Sequence, residues 1–282
     1  IIQLSFAENP IGKSVITTTL KALHGKSTWF IRCCMTKKEV IKSLFKSGVT
    51  KVVNMGCDVE SSKFAIKLAN IYEYIYAGVG LHPENIPQTK EELLKSIEEI
   101  KQLIISNKKV VAVGEVGLDY YWRDDNKELQ KEAFIMQIAI ANELKLPISI
   151  HTRDSIDDMI YIIRNYKLEN SGVLHCVPFN KELVRHGLEN GLYMGFGGTC
   201  TFKNSKNAKE IIQMVPKDKI LIETDSPYLS PEPRRGIRND SRNLKFIVQK
   251  IAEFTNSTQE EIANVTYNNA LNLFKLNEKV EK

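Results

Sequence analysis

Four side chains that commonly bind divalent metal ions follow short apolar segments at widely separated places in the sequence. Glu115 follows VVAVG, His151 ends PISIH, His175 nearly ends GVLHC, and Asp225 follows ILIET. Imidazole nitrogens with carboxylate oxygens suit Zn²⁺ or Mn²⁺, and carboxylates with water also suit Mg²⁺. A carboxylate such as Glu115 can bridge two cations, which together activate water and neutralise phosphoryl charge. The pattern predicts a site for one or two divalent cations (Mg, Mn or Zn).

Each of these residues also has a purely structural explanation. A histidine at the end of a strand is often only a hydrogen-bonded residue, Glu115 could form a buried ion pair with Arg153, and Asp225 could cap the turn at Ser226–Pro227. Four such coincidences at the same end of one sheet are less expected than a single shared site. We therefore favour the metal site as the interpretation of the whole set.

Basic and polar residues that could bind substrate follow some of the same segments. Arg153 follows PISIHT, Lys203 lies in the loop after LYMGF, and Arg235 lies in the proline-containing loop after the last strand. Guanidinium groups bind phosphate oxygens through two parallel hydrogen bonds, so these residues indicate an anionic ester substrate. His82, in GLHP, follows another strand and either contacts substrate or stabilises its own loop.

Seven short segments rich in valine and isoleucine are separated by longer amphipathic stretches. The predicted strands are Lys51–Gly56, Tyr74–Gly80, Lys109–Gly114, Pro147–His151, Gly172–Cys176, Leu192–Phe196 and Lys219–Thr224. The helical patterns are Lys37–Ser47, Leu129–Leu144, Lys181–Glu189, Ala208–Met214, Asn243–Thr255 and Gln259–Phe274. This alternation predicts an α/β fold of parallel strands with right-handed crossovers.

The fold that suits this alternation is a (β/α)8 TIM barrel, in which the C-terminal ends of all strands open onto one face. That geometry would bring the four metal-competent residues together. An open, doubly wound sheet is the alternative, but no GxGxxG follows the early strands. An eighth strand must precede Lys37, and Ile1–Ala7 and Lys26–Cys34 are its candidates, so the first strand is atypical or incomplete.

No linker or repeat divides the sequence, so we expect one barrel over residues 37–276 and an atypical N-terminal segment over 1–36. The chain begins with Ile1 rather than Met and has no recognisable secretory signal, which indicates a truncated or mis-framed start. Five cysteines without a CxxC pair indicate reduced thiols, and no run of 18 apolar residues occurs. We expect a cytoplasmic protein with no membrane partner and no obligate protein partner.

The formal charge of +5 and the content of 43% hydrophobic and 26% charged residues are those of an ordinary globular protein. They exclude a disordered, fibrous or membrane-embedded chain. A mild basic excess is compatible with a polyanionic substrate without requiring one. Composition alone therefore does not indicate the function, which has to be inferred from the motifs.

Several motifs resemble the signature blocks of TatD-type metal-dependent hydrolases. They are GEVGLDYYW (114–122), HTRDS (151–155), FGGTCTFKN (196–204), ETDSPYLSPEPRRG (223–236) and GVGLHP (78–83). The resemblance extends from about Lys37 to Phe274. It implies an amidohydrolase-like TIM barrel that uses one or two divalent cations and hydrolyses phosphodiester bonds in DNA, often from the 3′ end.

The resemblance also implies roles for individual residues. The family's metal ligands correspond to Glu115, His151, His175 and Asp225, and Asp225 also resembles the residue that orients or deprotonates the attacking water. DNA or another phosphodiester is then the expected partner. A hydrolase of other small esters or amides on the same barrel is an alternative, although the basic residues near the site argue against a neutral amide.

The sequence departs from the family pattern in two places, and the first departure, together with the absent start Met, favours a third interpretation, a catalytically impaired barrel kept as a binding or structural protein; the second affects the fit of substrate. The family opens with a His-x-His pair, whereas this sequence has none: Phe6 and Glu8 occupy the nearest comparable positions, and Lys26 lies two residues after His24. After His175, the family's small Ser/Thr-Gly turn is replaced by CVPF, whose proline and phenylalanine would change the shape of the loop.

Overall fold

The computed structural model describes residues 2–5, 16–19, 41 and 49–276. Its strands form one curled sheet, and the helices that connect them cover its outer face. The strands are β1 (Ile2–Ser5), β2 (Ile16–Thr19), β3 (Val49–Met55), β4 (Ile75–Val79), β5 (Val110–Asp119), β6 (Ile148–Arg153), β7 (Gly172–Leu174), β8 (Tyr193–Phe196) and β9 (Ile220–Glu223).

Eight α-helices of seven or more residues lie within the described residues. They are α1 (Val59–Ile71), α2 (Lys90–Ile105), α3 (Lys127–Glu143), α4 (Ile156–Asn165), α5 (Lys181–Glu189), α6 (Ala208–Met214), α7 (Leu244–Thr255) and α8 (Gln259–Leu273). The helices α3, α5, α6, α7 and α8 agree with the predicted patterns. The predicted helix Lys37–Ser47 lies outside the described residues except for Ile41, which is buried.

The seven strands from β3 to β9 run parallel to one another in sequence order, and each overlaps a predicted strand. Strand β2 pairs in parallel with β3 and, through Ile16 and Ile222, with β9. Because β2 joins the two ends of the parallel sheet, the sheet curls into a barrel. The predicted α/β TIM-barrel fold is confirmed.

The strand that closes the barrel lies in neither of the two segments proposed for the eighth strand. The candidate Ile1–Ala7 contains β1, but β1 runs antiparallel to β3, and Lys26–Cys34 lies outside the described residues. The parallel strand is β2, whose sequence ITTT owes its strand preference to β-branched threonines. This strand lacks the run of apolar residues by which the other parallel strands were predicted. The boundary predicted at residue 36 also lies outside the described residues, so the domain division stays a prediction.

Helix α2 illustrates how the outer layer is attached to the sheet. It begins at Thr89, whose side chain accepts a hydrogen bond from the Glu92 N–H at 3.2 Å and so caps the first turn. Apolar residues at three- and four-residue spacing form its inner face, and all are buried: Leu93, Ile97, Ile100 and Ile104. Within the described residues, no helix is long and apolar enough to cross a membrane.

Strands β5 and β6 extend furthest toward the mouth of the barrel and approach each other closely at Gly117. This glycine has φ +133°, and a Cβ atom at its position would lie 2.0 Å from the His151 carbonyl oxygen. Only glycine suits both the backbone angle and the spacing. The close approach fixes the β5 residues on either side of Gly117 relative to His151.

Candidate metal centre

The predicted metal-binding residues lie at the C-terminal ends of different strands. Glu115 lies within β5 and His151 within β6, while His175 directly follows β7 and Asp225 comes shortly after β9. His82 follows β4 in the same way. Since the strands are parallel, all five side chains are at the same end of the barrel.

These side chains converge on one carboxylate oxygen. Glu115 Oε1 lies 3.4 Å from His151 Nδ1 and 3.6 Å from both His82 Nε2 and His175 Nε2. His175 Nε2 is also 3.6 Å from Asp225 Oδ1. The structure therefore brings together the four residues selected from the sequence, and His82 joins them.

The donor set and its spacing fit a divalent cation. His82, Glu115 and His151 each offer one ligand atom, and these atoms lie within 4.8 Å of one another. Atoms that each lie about 2.0–2.2 Å from one ion are themselves about 3–3.6 Å apart, which is close to the separations around Glu115 Oε1. Most of these separations are too long for good hydrogen bonds, and imidazole with carboxylate is a donor set that transition metals prefer.

Buried carboxylates contact the outer nitrogens of two of the histidines. His151 Nε2 lies 2.8 Å from Asp119 Oδ2, and His175 Nδ1 lies 2.6 Å from Glu223 Oε2. Both carboxylates have side chains with no exposed surface. A carboxylate on one ring nitrogen orients the ring and leaves the other nitrogen for a metal, so Asp119 and Glu223 position His151 and His175.

Sequence reasoning missed Asp119 and Glu223. Asp119 lies four residues after Glu115 on the same strand, a spacing that places side chains on one face, and Glu223 ends the strand that precedes Asp225. These spacings were the features of the sequence that could have pointed to the two carboxylates. They did not reveal which histidine each carboxylate would contact.

The charges in the cluster stabilise one another. Burial favours the neutral form of Glu115, but the nearby His175, His151 and His82 hold the pKa of its carboxyl well below the usual value. Burial also opposes protonation of His151, yet Asp119 and Glu115 raise its pKa to about 9. Nearby carboxylates likewise raise the pKa of His175, so without a metal they hold positive charge on the His151 and His175 rings, and a cation would take the place of those protons.

Asp225 is the most exposed of these side chains, with 23% of its surface accessible. Its backbone lies in the left-handed region at φ +52°, a strained conformation that is common at functional sites. The N–H of Tyr228 donates to its carbonyl oxygen at 3.0 Å, so the backbone rather than the carboxylate closes the following turn. The carboxylate faces both His175 and the open mouth.

The loop that follows Asp225 is anchored by Asn239. The Asn239 side-chain amide donates to the carbonyl oxygens of Thr224 and Tyr228, the latter at 2.8 Å. Asn239 is 1% exposed. This anchor fixes the chain on both sides of Asp225.

The predicted substrate-binding residues have different surroundings. The Arg153 guanidinium lies 3.8 Å from the centroid of the Tyr121 ring, and no ion pair joins it to Glu115 among the described residues. Arg235 lies 3.8 Å from the centroid of the Phe202 ring and donates to the Ser230 carbonyl oxygen. Lys203 lines a surface groove between the loop after β8 and α7.

His82 lies deeper than a residue that only contacts substrate would. Its ring is 3% exposed and packs 4.4 Å from the His151 ring, centroid to centroid. Its Nδ1 accepts a hydrogen bond from the Glu84 N–H, so Nε2 faces Glu115. The structure therefore includes His82 among the possible metal ligands.

The altered turn after His175 is part of the site's framework. The Cys176 N–H donates to Glu223 Oε1 at 2.6 Å, and the Val177 N–H donates to the Gly195 carbonyl oxygen at 3.0 Å. These bonds link the end of β7 to β8 and β9. The N-terminal positions Phe6, Glu8 and His24 lie outside the described residues.

Comparison with known proteins identifies the family and the fold. The family model described as TatD related DNase matches residues 27–275. The uncharacterized metal-dependent hydrolase YabD of Bacillus subtilis is 40% identical over 241 residues, which cover 85% of this chain and 93% of YabD. The 3′-5′ ssDNA/RNA exonuclease TatD of Escherichia fergusonii is 30% identical over 245 residues, which cover 84% of this chain and 92% of the relative.

Solved structures show the same fold. The TatD homologue YJJV from Escherichia coli K12 superimposes with a TM-score of 0.79 at 26% identity, covering 85% of this chain and 92% of its own. The barrel fold and the family match agree with each other. This chain belongs to the TatD family of metal-dependent hydrolases.

Proposed function

We propose that this protein is a divalent-metal-dependent nuclease that removes nucleotides from the 3′ end of DNA. The observation that carries the proposal is the convergence of Glu115, the surrounding histidines and Asp225 at one end of the barrel. The relative of 30% identity is described as a 3′-5′ ssDNA/RNA exonuclease, which supports a phosphodiester substrate. RNA or another phosphodiester remains an alternative substrate.

Glu115, His151, His175 and Asp225 would hold one or two cations (Mg, Mn or Zn), and His82 offers a further nitrogen. When bound, such a cation supplies the Lewis acidity that makes water a nucleophile near neutral pH and offsets negative phosphoryl charge. Asp119 and Glu223 keep the two imidazoles turned toward the centre. The framework is thus ordered before substrate arrives, which lowers the cost of organising it during reaction.

Asp225 would accept the proton of the attacking water. Its carboxylate is both partly exposed and 3.6 Å from His175 Nε2, so it can contact a water at the mouth of the barrel beside the candidate ligands. Arg153, Lys203 or Arg235 would bind the nonbridging oxygens of the phosphodiester through charge-assisted hydrogen bonds.

The test is metal-dependent release of nucleotides from a short single-stranded DNA labelled at its 5′ end. Chelator-treated protein should regain activity with Mn²⁺, Mg²⁺ or Zn²⁺, and Asp225→Ala should be slower by about 10²-fold or more. Asp218→Ala is the matched control, because Asp218 is an exposed aspartate that precedes β9 instead of following it. Equal rates for Asp225→Ala and wild type would refute the assigned role.

A second candidate is a barrel that binds metal but turns over slowly. The absence of a His-x-His pair from this sequence favours it, since that pair supplies metal ligands in the family. Saturable metal binding without nucleotide release from any single-stranded substrate would support this candidate over the nuclease. Release of p-nitrophenol from a small phosphodiester, without release from DNA, would instead indicate a hydrolase of small esters.

A further inference from the structure

Two aromatic side chains beside the metal centre are largely exposed. Tyr121 and Trp122 lie shortly after the end of β5 at Asp119, with 55% and 60% of their surfaces accessible. Their rings meet edge to face, with centroids 4.8 Å apart and planes at 88°. Exposed aromatic rings in contact with each other expose an apolar surface to water, which soluble proteins usually keep for binding.

A cation completes this group, which we call the aromatic platform: Tyr121, Trp122 and Arg153. The Arg153 guanidinium carbon lies 3.8 Å from the Tyr121 ring centroid and 5.5 Å from that of Trp122. Within the part of the chain that the structure describes, no carboxylate forms an ion pair with Arg153. The guanidinium edge therefore stays available to a phosphate while its face lies on the rings.

One buried carboxylate ties the platform to the metal centre. Asp119 Oδ1 accepts hydrogen bonds from the N–H groups of both Tyr121 and Trp122 at 3.0 Å. Its other oxygen, Oδ2, lies 2.8 Å from His151 Nε2. The backbone beneath the two rings and the histidine that faces the centre thus share a single anchor, so the platform is held at a fixed offset from the site.

The surrounding charges do not favour simple attraction of a polyanion. Asp124 and Asp154 are exposed neighbours of the platform in sequence, and Arg123 pairs with Asp125 at 2.9 Å. These acidic side chains offset part of the attraction that Arg153 offers to phosphates. The aromatic faces are a further source of binding energy, and they suit a flat, unpaired base.

We propose that the aromatic platform stacks a nucleobase of single-stranded nucleic acid next to the metal centre, with Arg153 contacting an adjoining phosphate. This inference rests on the proposed function and adds a subsite to it. Stacking on aromatic rings tolerates every base, because each base has a π face. The platform thus selects unpaired ends over duplex, whose bases are not free to stack.

The test compares binding of two phosphorothioate oligonucleotides of equal length and charge, one of thymidylates and one abasic, by fluorescence anisotropy. Phosphorothioate linkages slow hydrolysis, so the purified protein can be used as isolated. Wild type should bind the thymidylate strand about tenfold or more tightly than the abasic strand. Trp122→Ala should bind the thymidylate strand as weakly as wild type binds the abasic one.

Two further variants separate stacking from folding effects. Trp122→Phe keeps a ring and should retain most of the affinity, whereas Tyr161→Ala removes a tyrosine of matched exposure, 59%, from α4 and should change nothing. Thermal melts monitored by circular dichroism should be the same for all variants. Any one of three results would overturn the proposed stacking. They are equal binding of both strands by wild type, wild-type affinity for the thymidylate strand in Trp122→Ala, and no measurable oligonucleotide binding by wild type.

The outcomes also distinguish this inference from the proposed function. Base-dependent binding without nucleotide release from ordinary DNA would support the platform and contradict the nuclease. Base-independent binding with normal metal-dependent release would contradict the platform alone.

Discussion

At the scale of residues, the centre depends on how its histidines are held. Asp119 and Glu223 are fully buried, and each contacts a histidine nitrogen on the side away from Glu115. Burying a charge is costly unless partners compensate it, and here the imidazoles do so together with the backbone N–H groups that donate to the other oxygen of each carboxylate. The positions of carboxylates and imidazoles therefore depend on each other.

We predict that Glu223→Gln weakens metal binding by about 10–100-fold while leaving the fold intact. The amide keeps the volume but removes the charge that orients His175. Titration of the chelator-treated protein with Mn²⁺ by calorimetry measures the affinity. Glu232→Gln, at a half-buried position in the loop after β9, is the control, and unchanged Mn²⁺ affinity in Glu223→Gln would contradict the positioning role.

Residue types and strand ends were enough to select Glu115, His151, His175 and Asp225 from the sequence. The position of His82 next to Glu115 could not be predicted, because its ring orientation is set by the Glu84 N–H within a short turn. The contact of Arg153 with Tyr121 could not be predicted from the sequence either, since it depends on the pairing of β5 with β6. Such details follow from neighbouring strands rather than from local sequence.

At the scale of elements, the β5–β6 pair carries more of the site than any other part of the described barrel. It holds Glu115, Asp119, His151 and Arg153, and Gly117 lets the two strands meet. A small change in their separation would displace both the candidate metal ligands and the aromatic platform.

We predict that Gly117→Ala destabilises the protein by about 2–4 kcal/mol, since the new methyl group would meet the His151 carbonyl and the backbone would be strained. Gly191→Ala is the matched control: its φ of +77° is also positive, but no atom lies within 4 Å of the added Cβ. Urea unfolding measures both changes. A loss in Gly117→Ala no greater than in Gly191→Ala would show that the close approach is unimportant.

The contact between Tyr120 and α4 predicts a pH dependence of stability. The Tyr120 hydroxyl donates to Asp158 at 2.6 Å, and burial together with this bond raises the pKa of Tyr120 above its usual 10.0. The folded protein thus holds the phenolic proton more tightly than the unfolded chain. This stabilisation is fully present below pH 10.0 and is lost as the pH rises above that value.

Tyr120→Phe should therefore lose less stability than wild type between neutral pH and about pH 11. Urea midpoints at the two pH values give the comparison, and Tyr161→Phe, on the exposed face of α4, provides the control. An equal alkaline loss in wild type and Tyr120→Phe would exclude this contact as the cause.

Strand prediction succeeded where strands are apolar and failed where they are not, while the helical patterns did not include α1, α2 and α4. The strands β3 to β9 are rich in valine and isoleucine because they are buried between barrel interior and helices. Strand β2 reads ITTT and carries no such signal, although it pairs with both β3 and β9. Its place in the barrel follows from closure of the sheet, and the local sequence pattern of a strand does not indicate such closure.

At the scale of the whole molecule, the barrel brings residues that are distant in sequence together at one open end, the mouth of the barrel. Residues 82, 115, 151, 175 and 225 come from five strand ends, and the parallel order of the strands brings them to the same face. The α/β fold was predictable because apolar strand segments alternate regularly with amphipathic helical patterns along the chain. The family was predictable because several motifs resemble its signature blocks. The substrate-side surfaces were less predictable, because Lys203 and Arg235 lie on loops whose paths depend on packing.

The most direct test of this account is calorimetric titration of Mn²⁺ into chelator-treated wild type, Glu115→Gln and Glu92→Gln. Glu115 is the carboxylate on which the imidazoles converge, whereas Glu92 is an exposed residue of α2. Wild type and Glu92→Gln should bind one or two Mn²⁺ per chain with equal affinity, and Glu115→Gln should bind at least about tenfold more weakly. Wild-type affinity in Glu115→Gln, or no saturable binding by wild type, would contradict the assignment of this mouth as the metal centre.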